Sequence, residues 1–232
     1  LRGIDILEAD LERVSISRGQ RPLVLADTIK GSYSHRTVNV PTTRVRFARG
    51  GGFDVSAEGS LENDVLFTAR GDIPMAALRT LVQGMEGASG TIRFSAQAKA
   101  NAARTVMNAL ITLEDLGYPI DFNGQQIHGV NGVIRVDGSQ VSIDRVTGLL
   151  DTGAFTIDGR ARLEGLTPSR VDFQLHATKL PIVVPDTMDV SIDGDIALTA
   201  DRKRSSIEGD LALVEGTYYR DVEANILTGL IT

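Results

Sequence analysis

Apolar and polar residues alternate along residues 189–201, which read Asp-Val-Ser-Ile-Asp-Gly-Asp-Ile-Ala-Leu-Thr-Ala-Asp. Every even position from Val190 to Ala200 is apolar or glycine, and the odd positions are mostly Asp, Ser and Thr. Because successive side chains of a strand point to opposite faces, this pattern predicts a strand with one apolar and one polar face. The same alternation recurs in many other segments, so the sequence predicts an all-β chain.

The alternating runs predict where the strands lie. In the first third they are short, at Ile4/Ile6, Val14/Ile16, Val38/Val40 and Val45/Phe47, and longer runs follow at residues 53–61 and 65–69. From Gly90 onward we expect strands at about 91–101, 106–115, 120–128, 130–137, 140–147, 154–164, 170–178, 188–200, 205–219 and 221–228. The linkers between them are short, Arg49-Gly50-Gly51-Gly52 and Pro181 to Pro185 among them, which favours antiparallel pairing of neighbours.

One segment, near residues 74–85, has helical spacing. Met75, Leu78, Leu81, Val82 and Met85 fall on one helical face, Pro74 suits the first turn, and Gly84 or Gly87 suits the end. A helix of about three turns is too short to cover a large sheet. We therefore divide the chain into an N-terminal β segment at 1–72 of the same continuous sheet, a helix and turn at 73–90, and a C-terminal β region at 91–232.

A chain of half-apolar strands needs something to cover its apolar face. Antiparallel strands usually pack as a sandwich or close into a barrel. Here several alternating runs exceed the usual strand length of about 5–6 residues, and Gly59, Gly159, Gly194 and Gly209 fall on the apolar phase. Long strands with such glycines could curl into a trough with an apolar interior. Periodicity alone leaves a filled β-sandwich equally open.

Composition narrows the function classes. With 7 Phe, 4 Tyr and no Trp, the chain has few aromatic platforms of the kind that bind carbohydrate. The net charge of −6 argues against binding nucleic acid, and we interpret Arg36, Arg44, Arg46 and Arg49 as a solvated face. Cysteine is absent and no run of about 18 apolar residues occurs. Because the chain begins Leu1-Arg2 rather than with methionine, we expect a fragment of a longer protein.

The sequence offers no catalytic motif and predicts neither a cofactor nor a metal site. His35, His128 and His176 stand far apart, and we interpret them as surface residues. The aspartates on the polar phase lack the tight turn-glycine loop of a calcium site, so we expect a solvated face; they are Asp189, Asp193, Asp195 and Asp201. Gly50-Gly51-Gly52 lacks the following helix of a phosphate-binding loop and predicts a turn. We therefore expect no enzymatic activity.

The order and composition of the strand and turn segments in the C-terminal half resemble those of a known family. The segments are Gly129 to Asp137, Gly153 to Gly159, Leu180-Pro181, Asp189 to Thr199, and the closing run Ile207-Glu208-Gly209-Asp210-Leu211-Ala212-Leu213-Val214-Glu215-Gly216-Thr217-Tyr218-Tyr219. Together they resemble the C-terminal region of the TamB family, part of the AsmA-like bridge-type lipid transfer proteins of the diderm envelope. The resemblance covers about residues 70–228 and is best over 129–219.

The resemblance carries implications that alternation alone does not. It implies a U-shaped sheet of the β-taco type whose apolar interior carries phospholipid acyl chains between the inner and outer membranes. It implies a periplasmic location, with an inner-membrane anchor helix that this chain lacks. It also implies an outer-membrane barrel partner of the Omp85 type within a translocation and assembly module, and a part in outer-membrane biogenesis.

Two functions stay open on this basis, and a third does not need the resemblance. The first is a lipid conduit whose hydrophobic groove is lined by Ile134, Val136, Val141, Ile143, Phe155, Ile157, Leu163, Val171, Phe173, Leu175, Val190, Ile192, Ile196, Leu198, Ile207, Leu211 and Leu213. The second is a scaffold or chaperone for unfolded outer-membrane β proteins, including autotransporters. The third is a filled sandwich with an adhesive or structural role.

Overall fold

A computed structural model of the chain describes residues 6–18, 21–79, 85–101, 103–120, 124–165 and 167–219. Its strands are β1 (Ile6–Arg18), β2 (Arg21–Ser34), β3 (Thr37–Phe47), β4 (Gly52–Ser60), β5 (Val65–Pro74), β6 (Ser89–Ala100), β7 (Thr105–Ile120), β8 (Gln125–Asp137), β9 (Gln140–Leu150), β10 (Gly153–Glu164), β11 (Thr167–Val184), β12 (Met188–Asp201) and β13 (Ser205–Tyr218). A single helix turn, α1 (Met75–Leu78), is described between β5 and β6.

The strands form one sheet in which spatial order equals chain order. Each strand pairs antiparallel with the next, from β1 at one edge to β13 at the other, and the two edge strands do not pair with each other. The predicted all-β fold is confirmed: a long antiparallel sheet that does not close into a barrel, with one short helix, an arrangement that fits a curled trough. A filled sandwich would need a second sheet, and the described residues form only one.

Surface area shows how little this sheet buries. The chain exposes 16197 Å², whereas a globular protein of 24.9 kDa exposes about 10,000 Å². Among the described residues, no large side chain is less than 2 % exposed. Along β10 the even-phase polar side chains from Asp158 to Glu164 are exposed, and the apolar side chains of Phe155, Ile157, Ala161 and Leu163 are half-buried. The apolar face is therefore sheltered but not covered by another layer.

Several strand boundaries differ from the sequence-based prediction. The separate strands predicted at 120–128 and 130–137 are wrong, because β7 runs to Ile120 and β8 runs unbroken from Gln125 to Asp137. Gly129, at φ 61°, is accommodated within β8 near register shifts on both sides instead of ending the strand. The short runs of the first third likewise merge, since β3 joins Val38/Val40 to Val45/Phe47 across a bulge after Val40.

The prolines predicted to form a linker extend a strand instead. β11 continues through Pro181 to Val184, beyond the predicted end at residue 178. Pairing between β10 and β11 stops at Ala154 and Thr178, so the later part of β11 pairs with β12 alone. Proline is tolerated there because this part of β11 is locally an edge. The strand predicted at 221–228 lies outside the described residues.

The predicted helix is described only in its first turn. Pro74 occupies the N-cap position at φ −61°, and Met75 and Ala77 are buried. The predicted helical residues Leu81, Val82 and Gly84 lie outside the described residues. The predicted turn of three glycines is confirmed: the amide of Gly50 donates to the carbonyl of Phe47 at 3.1 Å, and Gly52 opens β4.

Glycine at position 159 should be required by the sheet. A Cβ added there would lie 2.7 Å from the carbonyl oxygen of Asp172 and would also overlap the ring of Phe173. We expect Gly159→Ala to lower the free energy of unfolding by about 1–3 kcal/mol. Gly31→Ala is the matched control, because its new Cβ would meet only Val40 Cγ2 at 3.5 Å. Equal midpoints of the two variants in urea unfolding would contradict this.

Candidate functional site

A row of opposed positions crosses the apolar face of the sheet from β2 to β13. Each member is the Cα partner of the next, and directly opposed residues share a face. In chain order the row consists of Ala26, Val45, Phe53, Gly71, Phe94, Ile111, Ile134, Ile143, Gly159, Phe173, Leu198 and Ile207. At about 4.8 Å between neighbouring strands, it extends for about 50 Å. No polar residue interrupts it.

The predicted groove residues all lie on the face that carries this row. They are Ile134 and Val136 of β8, Val141 and Ile143 of β9, Phe155, Ile157 and Leu163 of β10, Val171, Phe173 and Leu175 of β11, Val190, Ile192, Ile196 and Leu198 of β12, and Ile207, Leu211 and Leu213 of β13. Exposure increases sharply toward the edge, from 9 % at Val136 to 73 % at Ile207 and 67 % at Leu213. The register unites these residues, while their contact with lipid stays a prediction.

Large side chains on this face lie over glycines of the neighbouring strand. Phe155 is the Cα partner of Gly148, and a Cβ added to Gly148 would lie 2.6 Å from Phe155 Cζ. Leu211 stands in the same relation to Gly194, with 2.6 Å to its Cδ2. An aromatic or branched side chain over a cross-strand glycine fills the space that the missing side chain leaves. Large apolar side chains therefore fill the gaps that glycines leave in the apolar face.

The opposite face is polar and also carries a groove. Its volume is about 1210 Å³, and its lining includes Arg135, Asp144, Asp158, Arg160, Arg162, Arg170 and Asp172. Arg135 forms an ion pair with Asp144. The charged groups of this lining are hydrated. An acyl chain placed here would displace water from guanidinium and carboxylate groups, which costs free energy. This groove is unsuited to acyl chains, which leaves the apolar face as the candidate site.

The arginines considered at the start of the chain are exposed, Arg44 and Arg46 on β3 and Arg36 and Arg49 in turns. Arg36 donates to Glu62 at 2.8 Å, and Arg44 donates to Asp54 at 3.1 Å. Exposed pairs of this kind contribute little to stability. They do place alternating charges on the outside of the sheet.

The titratable residues form separate local contacts. His35, His128 and His176 each contact a different partner, respectively Ser34 Oγ, the carbonyl oxygen of Asp151 and Asp195 Oδ1, at 2.8 Å in each case. Asp193 accepts the amide of Lys179 at 2.6 Å. Within the described ranges, no three His, Asp or Glu side chains lie close enough together to hold a metal ion.

Among the residues that the structure describes, two pKa values are displaced, both by contacts at the ends of β12 or β13. The amides of Lys203 and Arg204 donate to Asp201 and lower the pKa of its carboxyl. The hydroxyl of Tyr219 donates to Asp189 at 2.7 Å, which raises the pKa of the phenol. Both contacts fix turns or strand ends, and neither produces a group that titrates near neutrality.

Comparison with protein families adds an independent observation. Residues 144–224 match the model described as TamB C-terminal domain. Residues 144–224, named here the TamB segment, are therefore similar to the C-terminal domain of the TamB family. The resemblance to the C-terminal region of the TamB family, which the sequence segments predicted, is thus confirmed. The chain has no match among curated proteins or among solved structures.

The TamB segment covers β10 to β13 and most of β9, but the apolar row extends beyond it. Ala26, Val45, Phe53, Phe94 and Ile111 lie in strands that precede the match. These residues are not among the predicted groove residues, although Phe53 lies in the alternating run at 53–61. Alternation shows that a strand has an apolar face but not which face of the common sheet it joins. Only the register supplies that information.

Bulges keep the TamB segment's apolar residues on one face. In β9, Ile143 and Val146 are three positions apart, yet they oppose Gly159 and Ile157 on the same side of β10. Arg145, at φ 90°, lies in the bulge between them. Lys179, at φ 47°, plays the same part in β11, after which Leu180 and Ile182 share the face of Ala177. Leu180 and Ile182 were missed because the period-two pattern breaks at the bulge.

A buried polar residue connects three parts of one sheet end. Gln125 is only 5 % exposed, and its amide nitrogen donates to the carbonyl of Pro181 at 2.8 Å and to Asp151 at 3.2 Å. Strand β8 is thereby joined to β11 beyond the β9–β10 hairpin, whose turn contains Asp151. These hydrogen bonds connect the end of β8 to β11, although β9 and β10 lie between the two strands in the sheet.

No membrane-spanning helix is found in the part of the chain that the structure describes.

Exposure predicts which apolar positions accept a charge. We expect Ile207→Asp to change the free energy of unfolding by less than about 0.5 kcal/mol, since the side chain is 73 % exposed. Val136→Asp should lower it by more than about 3 kcal/mol, because a 9 % exposed position would receive an unpaired carboxylate. Urea unfolding of the two variants makes the comparison. Similar losses in both would show that the face of β13 is covered in solution.

Proposed function

We propose that the apolar face is a track for phospholipid acyl chains, and that the protein acts as a bridge rather than an enzyme. The observation that supports this most strongly is the apolar row that crosses β2 to β13 without a polar residue and without a covering layer. A soluble domain normally buries such a surface. An acyl chain would provide the missing cover.

The energetics suit a ligand that moves. Removing apolar surface from water contributes about 0.8 kcal/mol for each buried methylene group, without directed bonds. Because successive members of the row are all apolar, a chain that slides by one strand exchanges similar contacts for those that it loses. Binding along the row is therefore compatible with passive movement, and the head group stays in water at the rim.

The likeness of residues 144–224 to the TamB C-terminal domain supports the same proposal. That family has a role in the lipid-transport system of the translocation and assembly module, and we propose a periplasmic location for this chain on the same basis. We further propose that the whole protein is anchored in the inner membrane by an N-terminal helix and works with an Omp85-type barrel in the outer membrane.

A charge on the apolar row should stop lipid passage. Leu198→Arg places a guanidinium in the row, and Thr199→Arg places one on the exposed polar face, one residue away and opposite Asp172. We expect Leu198→Arg to abolish phospholipid co-purification and transfer while the protein is still produced, and Ile192→Arg to act alike. Thr199→Arg should retain both. Mass spectrometry of extracted lipid provides the measurement, and normal lipid content in Leu198→Arg with native circular dichroism would refute the track.

A second candidate function is supported by the edge of the sheet. All residues of β13 are exposed, and among the described residues no strand pairs with its outer edge. An exposed edge with apolar Ile207, Leu211 and Leu213 could accept a strand of an unfolded outer-membrane protein. In this function the protein is an assembly scaffold without lipid cargo.

Native mass spectrometry separates the two functions. Phospholipid bound to the purified protein favours the track. Lipid-free protein that captures peptides from outer-membrane strands favours the scaffold. Competition between lipid and peptide for one protein would show that both use the same surface.

A further inference from the structure

Burial is uneven along the sheet. Seven of the ten buried apolar residues precede β7, and they are Ala26, Phe47, Ala57, Val65, Met75, Ala77 and Ala88. The three others, Val136, Val146 and Ala177, are spread over β8 to β11. At β13 the apolar side chains are largely exposed. Among the described residues, buried apolar side chains are therefore concentrated at β2 to β6, whereas those of β13 are exposed.

Three phenylalanine rings pack together on the apolar face at β3 to β6, two of them, Phe53 and Phe94, in the row itself. The ring centroids of Phe47 and Phe53 are 5.9 Å apart, and those of Phe53 and Phe94 are 6.2 Å apart, with interplanar angles of 51° and 52°. Phe53 and Phe94 lie two strands apart, a backbone separation of about 9.6 Å. They approach each other over Gly71, their shared Cα partner on β5. We name Phe47, Phe53 and Phe94 the ring cluster.

Helix α1 follows β5 at the end of the sheet where Phe47 lies. A Cβ added to Gly51 would lie 2.3 Å from Pro74 Cδ, and the carbonyl of Gly51 accepts the amide of Phe47 at 3.3 Å. Met75 follows Ile73 by two residues, and Ile73 belongs to the apolar phase of β5 that contains Gly71. Met75 is 8 % exposed, while Ala77 at 2 % and Ala88 at 0 % are the most shielded residues of the region. The guanidinium of Arg79 donates to the carbonyl of Ala88 and closes this loop. The loop and the rings together add to the cover of the apolar face at one end of β3 to β6.

From this asymmetry we propose that the ring cluster and α1 form a constriction at which acyl chains stop. The inference rests on the proposed function, because it assigns a barrier within the same track. A chain entering from β13 first meets the exposed Ile207 and then half-buried members of the row as far as Ile111 of β7. Beyond Phe94 the row is already occupied by rings packed on one another, so passage requires the rings to move. Phe94 is thus a residue that controls how far the lipid travels.

Photo-crosslinking tests the constriction in the full-length protein. The probe is a phosphatidylethanolamine with a diazirine in its acyl chain, and peptide mass spectrometry assigns each adduct to a strand. In the wild type we expect adducts on β7 to β13 and few on β2 to β4. Phe94→Ala should raise adduct formation on β2 to β4 severalfold. Phe94→Leu, which removes the ring but keeps an apolar side chain, should do the same and guards against loss of folding.

Phe67→Ala is the matched control. Phe67 lies on the same face, opposite Ala57 and Ala98, but it is 44 % exposed and forms no ring pair with another described aromatic residue. This variant should keep the wild-type distribution of adducts. Equal labelling of β2 to β4 and β9 to β13 in the wild type would overturn the constriction while upholding the track. Absence of adducts from the whole apolar face would instead refute the track, and the constriction with it.

Discussion

The structure depends on one physical constraint, which is that the apolar face of the sheet must be shielded from water. No second layer formed by the described residues shields it. Most β proteins meet this constraint with a second sheet, a barrel closure or a layer of helices. Here thirteen strands form a single open sheet, and the described helix has only four residues. The side chains of the apolar phase shelter each other in part, which leaves a long half-buried surface. This surface is the reason that function is sought along a face and not at a point.

Glycine and phenylalanine together determine the shape of that surface. A glycine such as Gly148 or Gly71 leaves a gap in the face, and a ring from the adjacent strand occupies it. At Gly71 two rings meet over the gap and reduce the free surface, whereas at Gly194 the partner is the exposed Leu211. A large side chain over a cross-strand glycine therefore reduces the free surface at Gly71 and leaves an exposed apolar side chain at Gly194. Where the glycines lie decides where a ligand finds room.

The two faces have distinct chemical tasks. On the polar side, exposed ion pairs such as Arg36–Glu62 and Arg44–Asp54 keep the sheet in water and add little to its stability. On the apolar side, hydrophobic contact alone can hold an acyl chain, because it needs no fixed donor or acceptor. Specificity of this kind is coarse: it selects apolar chains rather than one molecule. The extent of acyl-chain movement must then be limited by the shape of the surface. The proposed role of the ring cluster is such a limit.

Alternation in the sequence determined the strands, their antiparallel pairing and the polar or apolar character of each face. It did so because side-chain direction in a strand has a period of two, a property of the local backbone. The cadence of residues 129–219 also sufficed to indicate the TamB family. Strand ends were less well determined: the break expected near Gly129 does not occur, since a bulge absorbs that residue.

Only the tertiary structure decided which apolar residues join in one row. Register shifts at Arg145 and Lys179 return the later residues to the common face, and such shifts depend on the neighbouring strand rather than on local sequence. The meeting of Phe53 with Phe94 over Gly71 likewise joins residues of three strands. Periodicity therefore specifies a surface for each strand, but pairing between strands makes those surfaces continuous and determines where they are filled or open.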